Sequence, residues 1–350
     1  MTLRRLERSN RPGYAHPVAR RSAPTILDVA ELAGVSKSLV SLVMRNSPNV
    51  SEDRRKAVRD AANTLGYRPN AAARSLVKQR SYLIGVLVSD FGNPFFSELL
   101  EGIEEAALLA EYRALFNTGS RIPSRELIAM DTLLQLRTDG LILASPKFDD
   151  AELDKIPASV PVVMVAKDTE VTGVDIVTDD DLHGSELAVD HLTSLGHRRI
   201  VHIHGEPGAG ATARCDGFVA AMERRGLEPL LVAGGFTEID GAKGAQEMLE
   251  LDPLPTAVFA ANDIAAMGII QSLEDAGLSV PEDMSVVGYD NVDFTCLSQI
   301  QLTTIDQPRR AIGTMAVELL LERLEEARTE ARRVTVEPSL VVRRTTAPPR

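Results

Sequence analysis

Only two cysteines, Cys215 and Cys296, occur in 350 residues, and they form no paired motif. Neither a disulfide framework nor a cysteine-held metal or redox centre can therefore organise this chain, and both are expected as ordinary reduced thiols. No apolar run approaches the roughly 20 residues that a bilayer span requires. The N-terminal arginines are not followed by the apolar segment of a secretory signal, so a cytoplasmic protein with no membrane partner is expected. No Gly-x-Ser-x-Gly elbow occurs, and no Ser, His and Asp set is placed by sequence for nucleophilic catalysis, so nothing anchors a reading as an enzyme. The run from Gly205 to Thr212 has the spacing of a phosphate-cradling loop, but Ala211 stands where that motif needs a lysine, which excludes nucleotide hydrolysis. His202 and His204 fall on one strand face without a third ligand at recognisable spacing. They are read as core or surface histidines, and neither a metal nor a cofactor is expected. The tail after Val342 lacks leucine heptads, so no C-terminal tetramerising coil is expected.

What is present is an ordinary soluble composition, 44% apolar and 25% charged, long enough for two or three domains with ample cores. Its charge is unevenly spread. Residues 1–80 carry 16 Lys+Arg against 6 Asp+Glu, whereas the remainder carries 22 against 44. A basic head on an acidic body implies that only the head approaches phosphates. Residues 1–24, with six arginines, three prolines and no helical periodicity, read as a disordered basic extension.

The head has helical punctuation. Thr25 is placed to cap a helix from about Ile26 to Ala33, with Ile26, Val29, Ala30 and Ala33 on one face, and Gly34 ends it. Ser36 caps a second helix to about Arg45, in which Leu39, Val40 and Val43 face inward. The small residue at 30, the glycine at 34 and the branched residue at 40 suit two helices crossing closely through a tight turn. After Asn46-Ser47-Pro48, Ser51 caps a third helix that stops at Gly66. A helix-turn-helix over 25–69 places Lys37, Ser38 and Ser41 at the start of the second helix, where they meet base edges or phosphates in a major groove. Asn70 can cap a two-turn helix within 70–80, too short to stand alone in water. Its Leu76 suits a wedge in a minor groove.

The run TILDVAELAGVSKSLVSLVMRNSPNVSEDRRKAVRDAANTLGYRPNAAARSL resembles the DNA-binding head of the lactose-repressor (LacI/GalR) family, and the similarity continues through almost the whole chain. The resemblance implies a homodimer whose heads read a double-stranded palindromic operator while paired hinge helices open its central minor groove. By position it extends the DNA-contacting set to Thr25, Ser36, Leu42, Arg45, Asn46, Tyr67, Asn70, Ala73 and Arg74. Three positions depart from the family. Leu39 and Leu42 stand where Thr and Arg are common, and Arg45 replaces a frequent Asn. Without an Arg at 42 a bidentate guanine reader is missing, so a different operator is expected.

From Ser81 onward, apolar runs of strand length alternate with helical stretches: Leu83 to Val88, Arg113 to Phe116, Gly140 to Ala144, Val162 to Val165, then Ile200 to His204, Ala257 to Ala260 and Ser285 to Gly288. Continuous apolar runs between helices signal parallel strands buried on both faces. The series appears twice, which predicts two open α/β lobes with a cleft at the carboxyl ends of their strands. The expected architecture is thus an all-α helix-turn-helix head and an α/β body of two doubly wound parallel-sheet lobes over 81–345, resembling a periplasmic binding protein. One lobe is expected to span about 81–166 and 308–330, the other about 167–307 and 331–345, with 346–350 as a tail. Polar residues after strand ends are the ligand candidates: Asp90, Asn93, Phe95 and Phe96, then Ser145, Arg214, Asn262, Asp263 and Asp290. By position these match the family's effector contacts. Phe236 or Phe95 is suited to stack under a sugar ring. Where the family often has an Asp or Arg pair, this chain has Ala166-Lys167-Asp168. The helix around Ala311 to Leu324 is expected to give dimer contacts. Together these features predict a DNA-binding regulator, a repressor released by a sugar-like metabolite. A co-repressor response to a purine-like ligand is the alternative within this class, and a solute-binding protein or a sugar-modifying enzyme the alternative outside it.

Overall fold

A computed structural model of the chain describes residues 24–68, 80–206, 208, 210–325 and 328–350. The expected extension over 1–24 and the hinge helix within 70–80 fall almost wholly outside these residues. The described chain divides into two compact units, a head before Arg80 and a body from Arg80 onward.

In the head, α1 (Ile26–Leu32), α2 (Lys37–Met44) and α3 (Glu52–Leu65) pack around Val29, Ala30, Val40, Val43, Val58, Ala61 and Ala62. Thr25 and Asp28 form a reciprocal capping box on α1, and Ser36 Oγ accepts the amide of Leu39 at 3.2 Å to start α2. Gly34 and Gly66 take positive φ values of 65° and 66°, which a side chain would resist. Ser51 occupies the cap position of α3 without a side-chain capping bond.

The body holds two six-stranded sheets. The first contains β1 (Leu83–Val88), β2 (Arg113–Thr118), β3 (Gly140–Ala144), β4 (Val162–Val165) and β5 (Asp175–Asp179), flanked by α4 (Phe95–Leu109) and α5 (Pro123–Gln135). The second contains β6 (Ile200–His204), β7 (Leu230–Ala233), β8 (Ala257–Ala260), β9 (Ser285–Asp290) and β10 (Thr303–Asp306). Its helices are α6 (Asp181–Ser194), α7 (Ala211–Arg224), α8 (Glu238–Leu249) and α9 (Asp263–Asp275). The chain then returns through α10 (Arg309–Glu325) and β11 (Arg333–Val336) to the first lobe, and ends in the second with β12 (Ser339–Val341). The strand orders are β11-β5-β4-β3-β1-β2 and β12-β10-β9-β8-β6-β7, parallel throughout except for β12 against β10.

This register moves the lobe boundaries. β5 pairs with β4, Val165 facing Val177, and β11 pairs with β5. The first crossing therefore falls at Asp180, not near 166, and the last at Glu337-Pro338, not near 331. The crossing at Gln307-Pro308 is where it was expected. The sequence DIVTD hid β5 because carboxylates bound it at both ends. Asp175 is nonetheless fully buried, gripped by the guanidinium groups of Arg323 and Arg328 and by the amide of Arg332 at 2.6 Å. Burial alone would raise its pKa; these partners outweigh it and hold the carboxyl below its ordinary range.

Two further segments pack onto the lobes. The apolar face of α10 (Ile312, Ala316, Val317, Leu320) is buried in the first lobe, where α10 crosses α4 so closely that a Cβ on Gly313 would lie 2.2 Å from the Leu99 carbonyl oxygen. That face is spent on the fold, whereas Arg310 and Glu318 of the same helix stay exposed. The tail docks as well: Thr345 Oγ1 donates to the Val286 carbonyl at 2.7 Å, and the Ala347 carbonyl accepts from the buried His197.

Candidate DNA interface and effector cleft

On the head, Lys37, Ser38 and Leu42 stand exposed on α2, and Thr25, Ser36, Arg45 and Asn46 are exposed around it. Ser41 and Tyr67 are half-buried, Tyr67 against the head core. The hydroxyls of Thr25 and Ser36 are engaged in capping, so they anchor α1 and α2. Arg45 folds back along its helix, its Nη2 donating to Ser41 Oγ at 2.8 Å and its Nε to the Ser41 carbonyl at 3.2 Å. Asn46, at φ 52°, accepts from Arg59 of α3 at 3.0 Å. Arg59 was not singled out from sequence, and with Arg54 and Lys56 it adds exposed cations to the head. Asn70, Ala73, Arg74 and Leu76 lie outside the described residues.

In the body, nine of the ten candidates line one cleft that both lobes form: Asp90, Asn93, Phe95, Phe96 and Ser145 from the first, and Arg214, Phe236, Asn262 and Asp290 from the second. Ser89, Arg121, Lys147, Ala166 and Gln307 complete the lining. The cleft is narrow, a cavity of about 50 Å³. The chain turns sharply as it leaves each strand: Arg121, Ser145, Ala166 and Asp290 all have positive φ, reaching 114° at Asp290. Such backbone costs about 1–3 kcal/mol per residue and gathers where a site must be shaped.

Asp263 does not join the lining. It is fully buried, accepting from Thr304 Oγ1 at 2.5 Å and from the Val292 amide at 2.9 Å, and it ties β9 and β10 to the start of α9. Asn262 has two parts: its Oδ1 caps α9 through the Ala265 amide at 2.9 Å, and its Nδ2 donates to the Phe236 carbonyl at 3.2 Å. Asn93 likewise accepts the Phe95 amide at 2.9 Å. Of Ala166-Lys167-Asp168, only Ala166 reaches the cleft; Lys167 donates to the Phe148 carbonyl, and Asp168 pairs with Arg333. His202 is a core residue, stacked on Phe259 with centroids 4.6 Å apart, and burial pushes its pKa down to about 3.

Arg214 is the electrostatic centre. Its Nε bonds Asp181 at 2.6 Å, its Nη1 donates to the Ala261 carbonyl at 2.8 Å, and its guanidinium lies 3.7 Å from the Tyr289 ring centroid. Tyr289 in turn donates to Asp179 at 2.7 Å. Burial works against the charge on Arg214, yet Asp181 and the neighbouring acids raise its pKa overall. Asp290 accepts from Gln307 Nε2 at 2.6 Å, while Gln307 Oε1 is buried without a hydrogen-bond partner among the described residues. Gln307 escaped sequence reasoning because it lies at a lobe crossing, not after an apolar strand.

Burial pushes the pKa of Asp290 up to about 7 from 3.8, against the pull of Arg214 and Arg309. A carboxyl that binds its proton more tightly when folded stabilises the fold at low pH and loses that contribution as pH rises through the folded value. Asp290→Asn, which mimics the protonated form, should therefore raise body stability at about pH 8 by about 1 kcal/mol, or about 2–4 °C in Tm. The gain should shrink toward about pH 6, and a pH-independent difference in thermal melts would contradict it.

Comparison with known proteins agrees with this arrangement. Residues 25–70 match the model of bacterial regulatory proteins of the lacI family, and residues 189–346 that of a periplasmic binding protein-like domain. The HTH-type transcriptional repressor PurR of Photobacterium profundum is 35% identical over 328 residues, covering 91% of this chain and 98% of that protein. Catabolite control protein A of Priestia megaterium is 33% identical over 302 residues, covering 85% of this chain and 91% of that protein. The crystal structure of the lac repressor dimer bound to operator and the anti-inducer ONPF superposes with a TM-score of 0.82 at 30% identity, covering 93% of this chain and all of that one. A complex of the transcriptional regulator CelR with cellobiose gives a TM-score of 0.71 at 30% identity, covering 92% and 99%. With a helix-turn-helix head and a two-lobed binding body in one chain, and relatives of this identity matched along nearly their full length, the protein belongs to the LacI family of DNA-binding transcriptional repressors.

Proposed function

We propose that this repressor binds a palindromic operator as a homodimer and that a sugar-like metabolite, held between the lobes, releases it. The observation that carries the reading is the convergence of a buried guanidinium (Arg214), a carboxyl (Asp290), small polar groups (Asn93, Ser145) and an aromatic ring (Phe236) on one cleft. That set suits a polyol, whose hydroxyls both donate and accept and whose ring face is apolar. The solved CelR complex holds cellobiose, a ligand of this kind. The space in the cleft suffices for a few waters, so a ring enters only when the lobes part about the three crossings. A ligand bound differently by open and closed lobes shifts their balance, and a hinge at 70–80 would carry that shift to the heads.

A second reading, a flat purine-like co-repressor, draws on the narrowness of the cleft and on the similarity to PurR repressors. Operator duplexes selected from a random library, followed by fluorescence anisotropy with monosaccharides, disaccharides and purine bases, separate the two. Release by a sugar supports the first reading, and tighter binding with a purine the second. Failure to enrich any palindrome would refute both.

A further inference from the structure

Outside the polyol-binding set, the mouth of the cleft holds a charge arrangement that neither helix capping nor the core requires. Arg121, after β2, and Lys147, after β3, come from the first lobe, and both are largely buried, with side-chain exposures of 21% and 18%. Their backbones are fixed: the Arg121 amide donates to the Ser89 carbonyl at 2.8 Å, and the Lys147 amide donates to the buried Glu126 at 2.6 Å. Both cations turn to one acceptor on the opposite lobe. Glu206 Oε2 lies 3.2 Å from Arg121 Nη2 and 3.6 Å from Lys147 Nζ. Glu206 itself is 56% exposed and follows Gly205 in a segment with glycines at 208 and 210, both at positive φ. Two anchored cations thus share one carboxylate oxygen from an exposed, glycine-rich segment. Burial, followed by the charge of Arg121, lowers the pKa of Lys147, which marks the cost of holding the two cations together. Glu126 is the other acid beside Lys147, and its Oε2 is engaged with the Lys147 backbone.

We propose that Arg121 and Lys147 form the anion subsite of the effector cleft, that the effector carries a phosphate monoester, and that Glu206 is a placeholder which the phosphate displaces. The inference deepens the reading of the cleft as a sugar site and rests on it. A phosphate monoester carries a charge of about −1.5 to −2 at neutral pH and three acceptor oxygens, so it can engage both cations where one carboxylate oxygen now serves them. An effector carboxylate would only replace Glu206 with its equal. The displaced Glu206, already more than half exposed, returns to water at little cost. Because Glu206 also ties the lobes together, its displacement couples phosphate recognition to lobe movement. The glycine-rich segment that lacks a P-loop lysine thus meets its cations across the cleft.

Isothermal titration of the full chain with hexose 6-phosphates and their parent hexoses, and thermal melts in inorganic phosphate against chloride at equal ionic strength, test this. The phosphorylated form should bind about tenfold tighter or more than its parent, since a hydrogen bond to a charged partner typically accounts for a factor of this order. Lys147→Met and Arg121→Gln should each remove most of that preference while leaving parent hexose binding in place. Glu206→Gln should strengthen phosphate binding several-fold, and inorganic phosphate alone should raise the melting temperature of that variant. Equal affinity for phosphorylated and parent sugars would overturn the anion subsite while leaving the sugar reading intact. If Glu206→Gln weakens both forms alike, Glu206 is a latch between lobes and not a placeholder. Absence of any sugar or phosphate response overturns the subsite, and if purine bases bind instead, the sugar reading falls with it.

Discussion

Arg214→Met is expected to lower the stability of the body by about 3–5 kcal/mol, the typical cost of removing one partner from a buried ion pair. Arg214 is the cation shared by a cluster of buried acids: Asp181 touches it directly at 2.6 Å, and Asp179 and Asp290 act on it through space. Without the guanidinium these carboxyls have to take up protons to stay buried, and Asp181 and Asp290 already lie near pH 7 with it present. Their folded pKa values would rise further in the variant, so the loss should be greater at about pH 8 than at about pH 6. Urea unfolding at the two pH values measures this, and wild-type stability at the higher one would show that the pair contributes nothing. Arg214→Lys separates the two roles of the residue. The charge is retained, so most of the stability should remain. The planar fork that spans Asp181, the Ala261 carbonyl and the cleft is lost, so the effector response should fall at least tenfold while operator affinity holds. An unchanged response in the lysine variant would mean that Arg214 supports the cleft without gripping the ligand.

The legible parts of this molecule are those whose physics is local. Val29, Ala30, Val40 and Val43 follow helical spacing between caps and glycines, and they form the head core as their pattern predicts. The strands β1, β3, β4 and β8 are continuous apolar runs, and the carboxyl ends of β1, β3 and β8 bring Asp90, Asn93, Phe95, Phe96, Ser145 and Asn262 to the cleft, where Arg214, Phe236 and Asp290 meet them from β6, β7 and β9. What escaped depends on distant partners. β5, β10 and β11 (DIVTD, TTID and RVTV) carry polar residues that only sheet pairing and buried partners make tolerable, and missing β5 and β11 displaced two of the three lobe crossings. Asp263 shares the strand-end position of the other candidates but is turned inward by Thr304 and the Val292 amide, 41 and 29 residues away in sequence. Arg121 and Lys147 follow β2 and β3 as closely as Phe236 follows β7, but a lone Arg or Lys in a loop reads from sequence as an ordinary solvated charge. They become conspicuous only once Glu206 is seen facing them from the other lobe. The departure at Leu42 needed no structure to be noticed, but its exposure on α2 gives it a consequence.

Operator affinity is expected to fall about a thousandfold between 50 and 200 mM salt, because each head presents several cations to the phosphates. Lys37 lies exposed at the start of α2, and Arg54, Lys56 and Arg59 are exposed on α3. If three of them per head neutralise phosphates in a dimer, about six counterions are released, and that number sets the slope. Lys37→Ala should weaken binding to every duplex alike and reduce the slope by about one per head. Leu42 should behave in the opposite way. It is apolar, 38% exposed and uncharged, so it can contact a thymine methyl but not a phosphate. Leu42→Ala is therefore expected to narrow the gap between selected operator and random duplex while leaving the salt slope unchanged. Anisotropy titrations over a salt series, on both duplexes and both variants, resolve these outcomes. A slope shallower than about two for the parent protein would show that its cations do not neutralise phosphate, and a slope change in Leu42→Ala would show that the substitution disturbs the placement of α2 instead of a base contact.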